Sequence, residues 1–226
     1  MKNIAIITAR SGSKGIVNKN IKLLKGVPLL AYTIKSAIDS NCFDKIFVST
    51  DSVRYAEIAE KYGADVSFLR SKKNSSDEAG SWDVVREVIE CFEERGEYFD
   101  TIMLLQPTSP LRTADDIKKS FQLMKEKNAD GIVGVTEVDH SPLWCNTLPD
   151  SMSMDNFRNE KYCDLPRQML PKYYRINGAI YLVTRDKIRK ADLLKENCFA
   201  YVMPRERSID IDTELDFIIA EHMLSN

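Results

Sequence analysis

The chain has 226 residues, of which 43% are hydrophobic and 29% charged, and its formal net charge is −2. This length and composition are typical of one globular domain with some elaboration, large enough to bury a core without disulfides. The small net charge argues against a broad electrostatic attraction to nucleic acid, so an anionic ligand must be held by a local basic cluster.

The five cysteines are scattered and include no Cys-x-x-Cys pair. This favours free thiols in a reducing compartment over a disulfide framework or a zinc site. The apolar run at residues 4–7 is interrupted by Thr8 and Arg10 and is too short for a signal peptide. No stretch approaches the ~18 apolar residues of a membrane span. We therefore expect a cytoplasmic protein with no membrane and no nucleic-acid partner.

Short apolar runs alternate with helical patterns along most of the chain, and this repetition predicts an α/β fold. Strands are predicted at residues 2–8, 45–49, 64–69, 101–105, 130–138, 178–183 and 199–203, with a last helix at 214–224. The expected architecture is a Rossmann-like, mostly parallel sheet flanked by helices.

Capping residues mark where the predicted helices begin. Pro28 opens the first helix, and either Asp51 or Ser52 can cap the second. The sequence from Thr113 to Asp116 is a capping box that starts the helix after the strand at 101–105.

Residues 139–172 break this rhythm. They contain prolines at 142, 149, 166 and 171 and three of the eight methionines, with little periodicity. A structureless segment of this length is rare inside a compact domain, so it predicts a lid, an interaction arm, or both. The core is then formed by residues 1–138 and 173–226.

The first polar cluster, ARSGSKGIVNKN at residues 9–20, follows the first strand. It carries Arg10, Lys14 and Lys19 together with two glycines, which let backbone N–H groups approach a phosphate. The spacing fits neither a Walker loop nor a dinucleotide fingerprint. A basic surface turn is therefore an equally good interpretation of this loop alone.

The second cluster, from Gln106 to Arg112, follows the strand at 101–105, and two prolines fix its backbone. Polar side chains at the carboxyl ends of parallel strands are well placed to bind ligands. The alternative is a rigid turn between a strand and a helix.

The third cluster is SIDIDT at residues 208–213. In an extended chain Asp210 and Asp212 point the same way, about 7 Å apart, and can flank a hard cation such as Mg²⁺. The alternative is that Asp212 caps the last helix.

The fourth cluster, at residues 166–178, contains Arg167, Lys172 and Arg175. Arginine recognises carboxylates with two parallel hydrogen bonds, so the second substrate is predicted to be an acid, although a solvated charged segment is also possible. The chain has only two histidines, His140 and His222, which gives little support to a Ser-His-Asp triad or a histidine-rich metal site.

In this order the clusters resemble the CMP-N-acylneuraminate synthetases, also called acylneuraminate cytidylyltransferases. The matching segments are IITARSGSKGIVNKN, VSTDS, LLQPTSPLR, PRQMLPKYYRINGAIYLV and SIDIDTELD, which span nearly the whole chain. The CMP-Kdo synthetases share the general fold, but they are less similar in the opening motif and in SIDIDTELD.

The resemblance implies transfer of CMP from CTP to the anomeric hydroxyl of a sialic acid or a related nine-carbon acidic sugar, with Mg²⁺ as cofactor. It implies catalytic roles for Arg10, Lys19 and Asp212, and metal binding by Asp210 and Asp212. The implied nucleotide contacts are Arg10, Ser13, Lys14, Lys19, Asn20, Arg70 and the turn at Ser76 and Asp77. The implied sugar contacts are Gln106, Arg112, Arg167, Arg175 and Tyr181.

The family is dimeric, so the resemblance also implies a homodimer whose exchanged arm lies mostly within residues 139–172. In the family, an aromatic pair after the last short strand reaches the partner's sugar pocket. Here Phe199 is followed by Ala200, so the acyl preference stays open.

Three other functions remain open on the sequence. The nearest is a synthetase that uses legionaminic acid, Kdo or another nucleotide. A NAD-binding dehydrogenase has the same class of sheet but requires a glycine fingerprint that is absent. A non-catalytic sugar-nucleotide-binding module would not need the paired aspartates and the basic loop, and both are present.

Overall fold

A computed structural model describes residues 1–13, 15–76, 78–158, 162, 165–190 and 193–225. The predicted contacts of Lys14 and Asp77 lie outside these residues. The strands are β1 (Asn3–Thr8), β2 (Leu23–Leu24), β3 (Val27–Pro28), β4 (Lys45–Ser49), β5 (Thr101–Leu105), β6 (Gly131–Glu137), β7 (Tyr174–Thr184) and β8 (Cys198–Val202). The α-helices are α1 (Leu29–Ser40), α2 (Val53–Lys61), α3 (Ser81–Glu94), α4 (Ala114–Lys127), α5 (Arg185–Ile188) and α6 (Glu214–Met223).

The main sheet has six strands in the order β4-β1-β5-β7-β6-β8. Strand β7 runs antiparallel to both of its neighbours, and the other pairings are parallel. The carboxyl ends of the parallel strands therefore meet at one edge of the sheet, together with the beginning of β7. The predicted mostly parallel α/β sheet is confirmed.

Alternation along β1 divides the core into two layers. Ala5 and Ile7 pack in the cluster that contains buried side chains of α1, α2 and α4, whereas Ile4 and Ile6 pack in the cluster beneath α3. A strand buried on both faces must be apolar at every position, which explains the continuous run that predicts it.

A third, smaller core supports the carboxyl edge of the sheet. Ile16 and Leu24, from the connection between β1 and α1, pack with Ile211 and with Phe217 of α6. The basic loop and the acidic SIDIDT segment are thus held against each other by apolar side chains.

One predicted strand and one predicted cap are wrong. Residues 64–69 form no strand and make only a single bridge, between Asp65 and Phe47, because the Asp65 carboxylate accepts the N–H of Ser67 at 2.8 Å and turns the chain. Asp212 does not cap α6, because Thr213 does so in a capping box with Asp216.

The other predicted caps agree with the structure. Ser52, and not Asp51, accepts a hydrogen bond from Tyr55 N–H at the start of α2. The capping box of Thr113 and Asp116 is present at the start of α4.

The segment at 139–172 contains no α-helix or β-strand among its described residues, only 3-10 turns at Pro142–Trp144 and Arg167–Met169. Its role as a dimerisation arm stays a prediction. No helix in the described part of the chain is both long and apolar enough to cross a membrane.

Candidate active site

A cleft of about 530 Å³ lies at the carboxyl edge of the sheet. It is bordered by the connections that follow β1 and β5, by the connection between α2 and α3 with the start of α3, and by the segment between β8 and α6. The predicted site residues that line it are Arg10, Ser13, Lys19, Asn20, Arg70, Gln106, Asp210 and Asp212. The structure therefore brings the basic loop and both aspartates to one cavity.

The basic loop is held in place by hydrogen bonds to its own backbone and to Asp51. The Asp51 carboxylate accepts the Ser11 N–H and the Ser11 hydroxyl, each at 2.8 Å. Asn20, which is buried, donates its side-chain N–H to Arg10 O at 3.0 Å. These contacts fix the backbone of the loop, as an anion-binding turn requires.

Lys19 joins the basic loop to the acidic segment. Its Nζ donates to Ile211 O at 2.5 Å and to Asp212 Oδ1 at 3.0 Å. The two segments approach so closely that a Cβ on Gly15 would lie 2.6 Å from Asp212 O. Glycine at position 15 is therefore required for the contact.

The acidic segment has the alternation that its sequence predicts. Ile211 is fully buried in the third core, whereas Asp210 and Asp212 on either side of it line the cleft. Ile211 N–H donates to Thr108 O at 2.8 Å, which fixes the segment to the end of β5.

Asp210 is an unusual carboxylate. Its Oδ1 is buried and has no hydrogen-bond partner among the described residues. Burial raises the pKa of Asp210 and the negative charge of Asp212 adds to this, while a hydrogen bond to Thr108 and the charges of Lys19 and Arg175 oppose it. A buried carboxylate oxygen without a partner is favourable only if a cation or a donor completes it.

This arrangement fits a magnesium ion that is shared with a phosphate. The described residues contain no group of three or more His, Cys, Asp or Glu side chains that could hold a metal by themselves. Mg²⁺ does not need such a group, because it commonly binds to one or two carboxylates together with substrate phosphates and water. Asp210 and Asp212 supply that minimal set.

Arg70 is buried in the wall of the cleft. Its guanidinium donates to Ser49 Oγ at 3.0 Å and to Ser49 O at 2.6 Å, at the end of β4. Burial lowers its pKa to about 10, against the opposing charges of Asp51 and Glu87. Arg70 therefore stays protonated at neutral pH and contributes a fixed positive charge to the cleft.

The backbone of β7 makes room for Gln106. Gly178 has a φ of +74°, and a Cβ there would lie 2.3 Å from Gln106 Oε1. The pairing of β6 with β7 is irregular between Val133 and Val135 in the same region. Glycine suits the positive φ at this position, and a Cβ there would displace the end of the Gln106 side chain, so Gly178 leaves room for the position that Gln106 takes.

Four predicted site residues lie near the cleft without lining it. Arg175 borders an adjoining groove of about 680 Å³ that shares Asp210 and Asp212 with the cleft. Tyr181 packs edge-on against Trp82, and burial and the negative charge of Asp210 raise its pKa.

The other two of these four are Ser76 and Arg112. Ser76 borders a neighbouring acidic cavity of about 470 Å³. Arg112 lies behind the cleft lining, and a direct sugar contact for it is not supported. It is 3% exposed and donates to Ala179 O at 2.8 Å and Gln106 O at 3.3 Å, and burial lowers its pKa to about 9.

Arg167 and Phe199 lie away from the cleft of their own chain. Arg167 donates to Asp139 O at 2.6 Å and lines a separate cavity of about 300 Å³. Phe199 lies on the edge strand β8 and pairs with Ile132 near the start of β6, at the end of the sheet opposite the cleft. If these two residues contact a sugar, it must be in another copy of the chain.

Sequence reasoning missed Asp51 as a site residue, and it placed Thr108 in the second cluster without its partner Asp210. Asp51 follows β4 directly, and its position at the carboxyl end of a parallel strand was the available signal. Thr108 belongs to the cluster after β5, but its contact with Asp210 depends on the fold.

A family model described as cytidylyltransferase matches residues 4–215. The chain belongs to the cytidylyltransferase family. Its fold also agrees with the folds of two solved structures. Each of them is 15% identical to this chain in sequence, and each alignment covers 100% of this chain and 99% of the other chain. They are a CMP:2-keto-3-deoxy-manno-octonic acid synthetase complexed with CTP, with a TM-score of 0.73, and a 4-diphosphocytidyl-2C-methyl-D-erythritol synthase from Anaerococcus prevotii, with a TM-score of 0.67.

Curated relatives that align with nearly the whole of this cytidylyltransferase support the assignment. An N-acylneuraminate cytidylyltransferase of Streptococcus agalactiae is 38% identical over 222 residues, which are 96% of this chain and 52% of that protein. A CMP-N,N'-diacetyllegionaminic acid synthase of Legionella pneumophila is 34% identical, covering 99% of this chain and 97% of that protein. A pseudaminic acid cytidylyltransferase of Campylobacter jejuni is 33% identical, with coverages of 98% and 95%. The chain thus spans about half the length of the first relative and nearly the full length of the other two.

Proposed function

We propose that this cytidylyltransferase transfers CMP from CTP to the anomeric hydroxyl of a nonulosonic acid, an acidic nine-carbon sugar of the sialic acid class. The observation that carries the proposal is the single cleft in which the basic loop of Arg10 and Lys19 faces Asp210 and Asp212. The family and the names of the relatives support the same reaction.

The reaction is an in-line substitution at the α-phosphorus of CTP. The anomeric oxygen forms a new bond to this phosphorus and loses its proton, while the bond to the β-phosphate oxygen breaks and pyrophosphate leaves. Such reactions depend mainly on positioning and on neutralising charge, so no covalent enzyme intermediate is required.

The basic loop supplies the positive charge for the triphosphate. Arg10 and Lys19 would offset the charge of the pyrophosphate as it leaves, while Ser13 and Asn20 would orient the nucleotide. Arg70 would contribute its fixed positive charge from the wall of the cleft. It would contact the part of the nucleotide that faces the neighbouring cavity bordered by Ser76.

We assign Asp210 and Asp212 as the residues that hold Mg²⁺. Their support is the partnerless buried oxygen of Asp210 and the position of both carboxylates opposite the basic loop. When bound there, Mg²⁺ would neutralise phosphate charge and polarise the reacting phosphoryl group.

The acidic sugar would enter from the groove that contains Arg175. Arg175 is exposed there, and its Nη2 donates to Ser208 O at 3.2 Å, so its guanidinium is already directed beside the two aspartates. Arginine at this position suits the sugar carboxylate. Gln106 and Tyr181 would complete the wall on the side of β5 and β7.

We further propose a homodimer formed through residues 139–172. The support is the presence of five exposed large apolar side chains on this irregular segment, since exposed apolar surface can mark an interaction site. These side chains are Trp144, Leu148, Met152, Met154 and Met169, which are 37–66% exposed. Arg167 and Phe199 would then act in the partner's site. Sedimentation of the purified protein tests this proposal, which a monomer at working concentrations would contradict.

The reaction is tested by pyrophosphate release with CTP and a panel of acidic sugars. We expect release with CTP, but not with UTP or ATP, in the presence of N-acetylneuraminic, legionaminic or pseudaminic acid. The sugar with the highest kcat/KM is the physiological candidate, since a few pocket contacts separate these substrates by about 1–3 kcal/mol each. Pyrophosphate release with Kdo alone would instead place the enzyme among the CMP-Kdo synthetases. Release with none of these sugars would contradict the proposal.

A further inference from the structure

The segment that carries Asp210 and Asp212 has little regular structure of its own. Between the end of β8 and the start of α6 it contains only a 3-10 turn at Arg205–Arg207. Irregular backbone does not hold two side chains in a fixed geometry by itself, so contacts with neighbouring elements must position these carboxylates.

The most extensive of these contacts is an ion pair outside the cleft. The Asp116 side chain is fully buried and accepts Arg207 Nε at 3.0 Å through one oxygen and Arg207 Nη2 at 2.8 Å through the other. This is the two-pronged geometry that arginine forms with carboxylates and that lysine cannot reproduce.

Asp116 has further partners that fix its own position. Its carboxylate accepts the Thr113 N–H at 2.9 Å and hydroxyl at 2.8 Å, and the Tyr201 hydroxyl at 3.1 Å. One buried carboxylate therefore joins the start of α4, strand β8 and the 3-10 turn that precedes Asp210.

The role of Asp116 in capping α4 does not by itself explain why Asp116 also forms an ion pair with Arg207. Helix α6 has the same type of capping box, in which Asp216 Oδ2 accepts the Thr213 N–H at 2.8 Å and hydroxyl at 2.7 Å. No arginine donates a hydrogen bond to Asp216 among the described residues. The box at α4 thus carries an additional connection, directed to the acidic segment.

Two more contacts hold the same segment downstream of Arg207. Ile211 N–H donates to Thr108 O, and Asp212 N–H donates to Asp216 Oδ2 at 3.1 Å. Asp210 and Asp212 therefore lie in a stretch that is fixed on both sides. Its upstream attachments are the Arg207 pair and Ser208, which accepts from Asn177 through Oγ at 3.0 Å and from Arg175 through its carbonyl oxygen at 3.2 Å.

We propose that the Arg207–Asp116 pair positions Asp210 and Asp212 for the cation and the nucleotide, without touching either. This role rests on the proposed function, because it assumes that the two aspartates bind a metal with CTP. Residues that orient metal ligands commonly change metal affinity about 10-fold to 100-fold when they are replaced.

The test measures Mn²⁺ binding in the presence of CTP by electron paramagnetic resonance, with no turnover involved. We expect Arg207→Met to raise the Mn²⁺ dissociation constant about tenfold or more, and Arg207→Lys to fall between this variant and the wild type. Tyr201→Phe removes a single hydrogen bond to Asp116 and is expected to raise the Mn²⁺ dissociation constant by a smaller factor. This variant tests the proposal if Arg207→Met does not fold.

The matched control is Arg185→Met. Arg185 donates to Glu93 through Nε at 2.8 Å and forms an ion pair with it through Nη2 at 2.6 Å, at the opposite edge of the sheet. Its loss should leave Mn²⁺ affinity unchanged and lower the thermal midpoint by a smaller amount, because Glu93 is partly exposed and also pairs with Arg189. Equal effects of Arg185→Met and Arg207→Met on Mn²⁺ affinity would overturn the positioning role.

Asp210→Asn separates this inference from the function on which it rests. If Asp210→Asn abolishes Mn²⁺ binding but Arg207→Met and Tyr201→Phe leave it unchanged, the metal site stands and the positioning role is refuted. If Asp210→Asn leaves Mn²⁺ binding intact, the metal assignment fails and the positioning role fails with it.

Discussion

Asp212 has an exposed side chain, and its replacement should therefore affect chemistry far more than folding. Its carboxylate is paired with Lys19 at the surface of the cleft, while Thr213 and Asp216 cap α6 without it. We predict that Asp212→Ala lowers kcat about 100-fold or more, as expected for loss of transition-state charge stabilisation, with an unchanged thermal midpoint. A near wild-type rate at saturating Mg²⁺ would contradict the metal role of this residue.

Arg175 should affect the sugar and not the nucleotide. Its side chain is exposed in the groove beside the two aspartates and donates a hydrogen bond to Ser208 O. Another donor could take its place at Ser208 O when Arg175 is replaced. We predict that Arg175→Ala raises the KM of the acidic sugar about 10-fold to 100-fold, the usual range for a lost charged hydrogen bond, with little change in the KM of CTP. Arg175→Lys, which keeps the charge but not the fork, should recover part of the loss. An unchanged sugar KM would refute the assignment.

Single residues differ in how well the sequence predicts them. Asp210 and Asp212 could be predicted because alternation with isoleucine is a local pattern that puts both carboxylates on one side. The role of Asp51 could not be predicted, because it consists of hydrogen bonds to Ser11, forty positions earlier in the chain. The burial of Arg112 could not be predicted for a similar reason, since it involves a hydrogen bond to Ala179 O, 67 positions later in the chain.

At the scale of elements, the irregular pairing of β6 with β7, next to the contact between Gly178 and Gln106, is the most sensitive feature. Gly178→Ala would have both a strained φ and a Cβ 2.3 Å from Gln106 Oε1. We predict a loss of about 1–3 kcal/mol in the free energy of unfolding, together with reduced activity because Gln106 is displaced from the cleft wall. Chemical denaturation and steady-state kinetics measure these two effects.

Gly96→Ala is the matched control for this variant. Gly96 has a φ of +78°, close to that of Gly178, but a Cβ there would meet nothing within 4 Å. The control should carry the conformational cost alone and keep full activity. Equal losses of stability and activity in both variants would show that the contact with Gln106 does not matter.

The parallel strands could be predicted to within one or two residues, because strands buried on both faces are continuously apolar. Strand β7 begins at Tyr174 instead of at residue 178, since its first three residues are exposed and precede the buried apolar run from which the strand is predicted. Its antiparallel direction could not be predicted, because strand direction is set by pairing with β5 and β6 and leaves no local pattern. Residues 64–69 show the reverse error. Their composition predicts a strand, but the chain turns where the Asp65 side chain accepts a backbone hydrogen bond.

For the whole molecule, the Arg207–Asp116 pair makes stability depend on pH. Although burial raises the pKa of Asp116, the hydrogen bonds from Arg207 and Thr113 outweigh it, and the pKa lies below the ordinary value of the carboxyl group. A carboxyl group with a lowered pKa stabilises the fold fully above its unfolded pKa, about 3.9, and this stabilisation is lost as the pH falls through the folded value.

We predict that Arg207→Met lowers the free energy of unfolding at pH 7 by about 2 kcal/mol, less than for a fully buried pair, because Arg207 is partly exposed. Below about pH 4 the gap between variant and wild type should narrow, because the wild type loses the stabilisation that the variant already lacks. Urea denaturation of both proteins between pH 7 and pH 3 measures the gap. A gap that stays constant across this range would mean that Arg207 does not change the pKa of Asp116 in the folded chain, and that the pair is not the acid-sensitive link between α4 and the acidic segment.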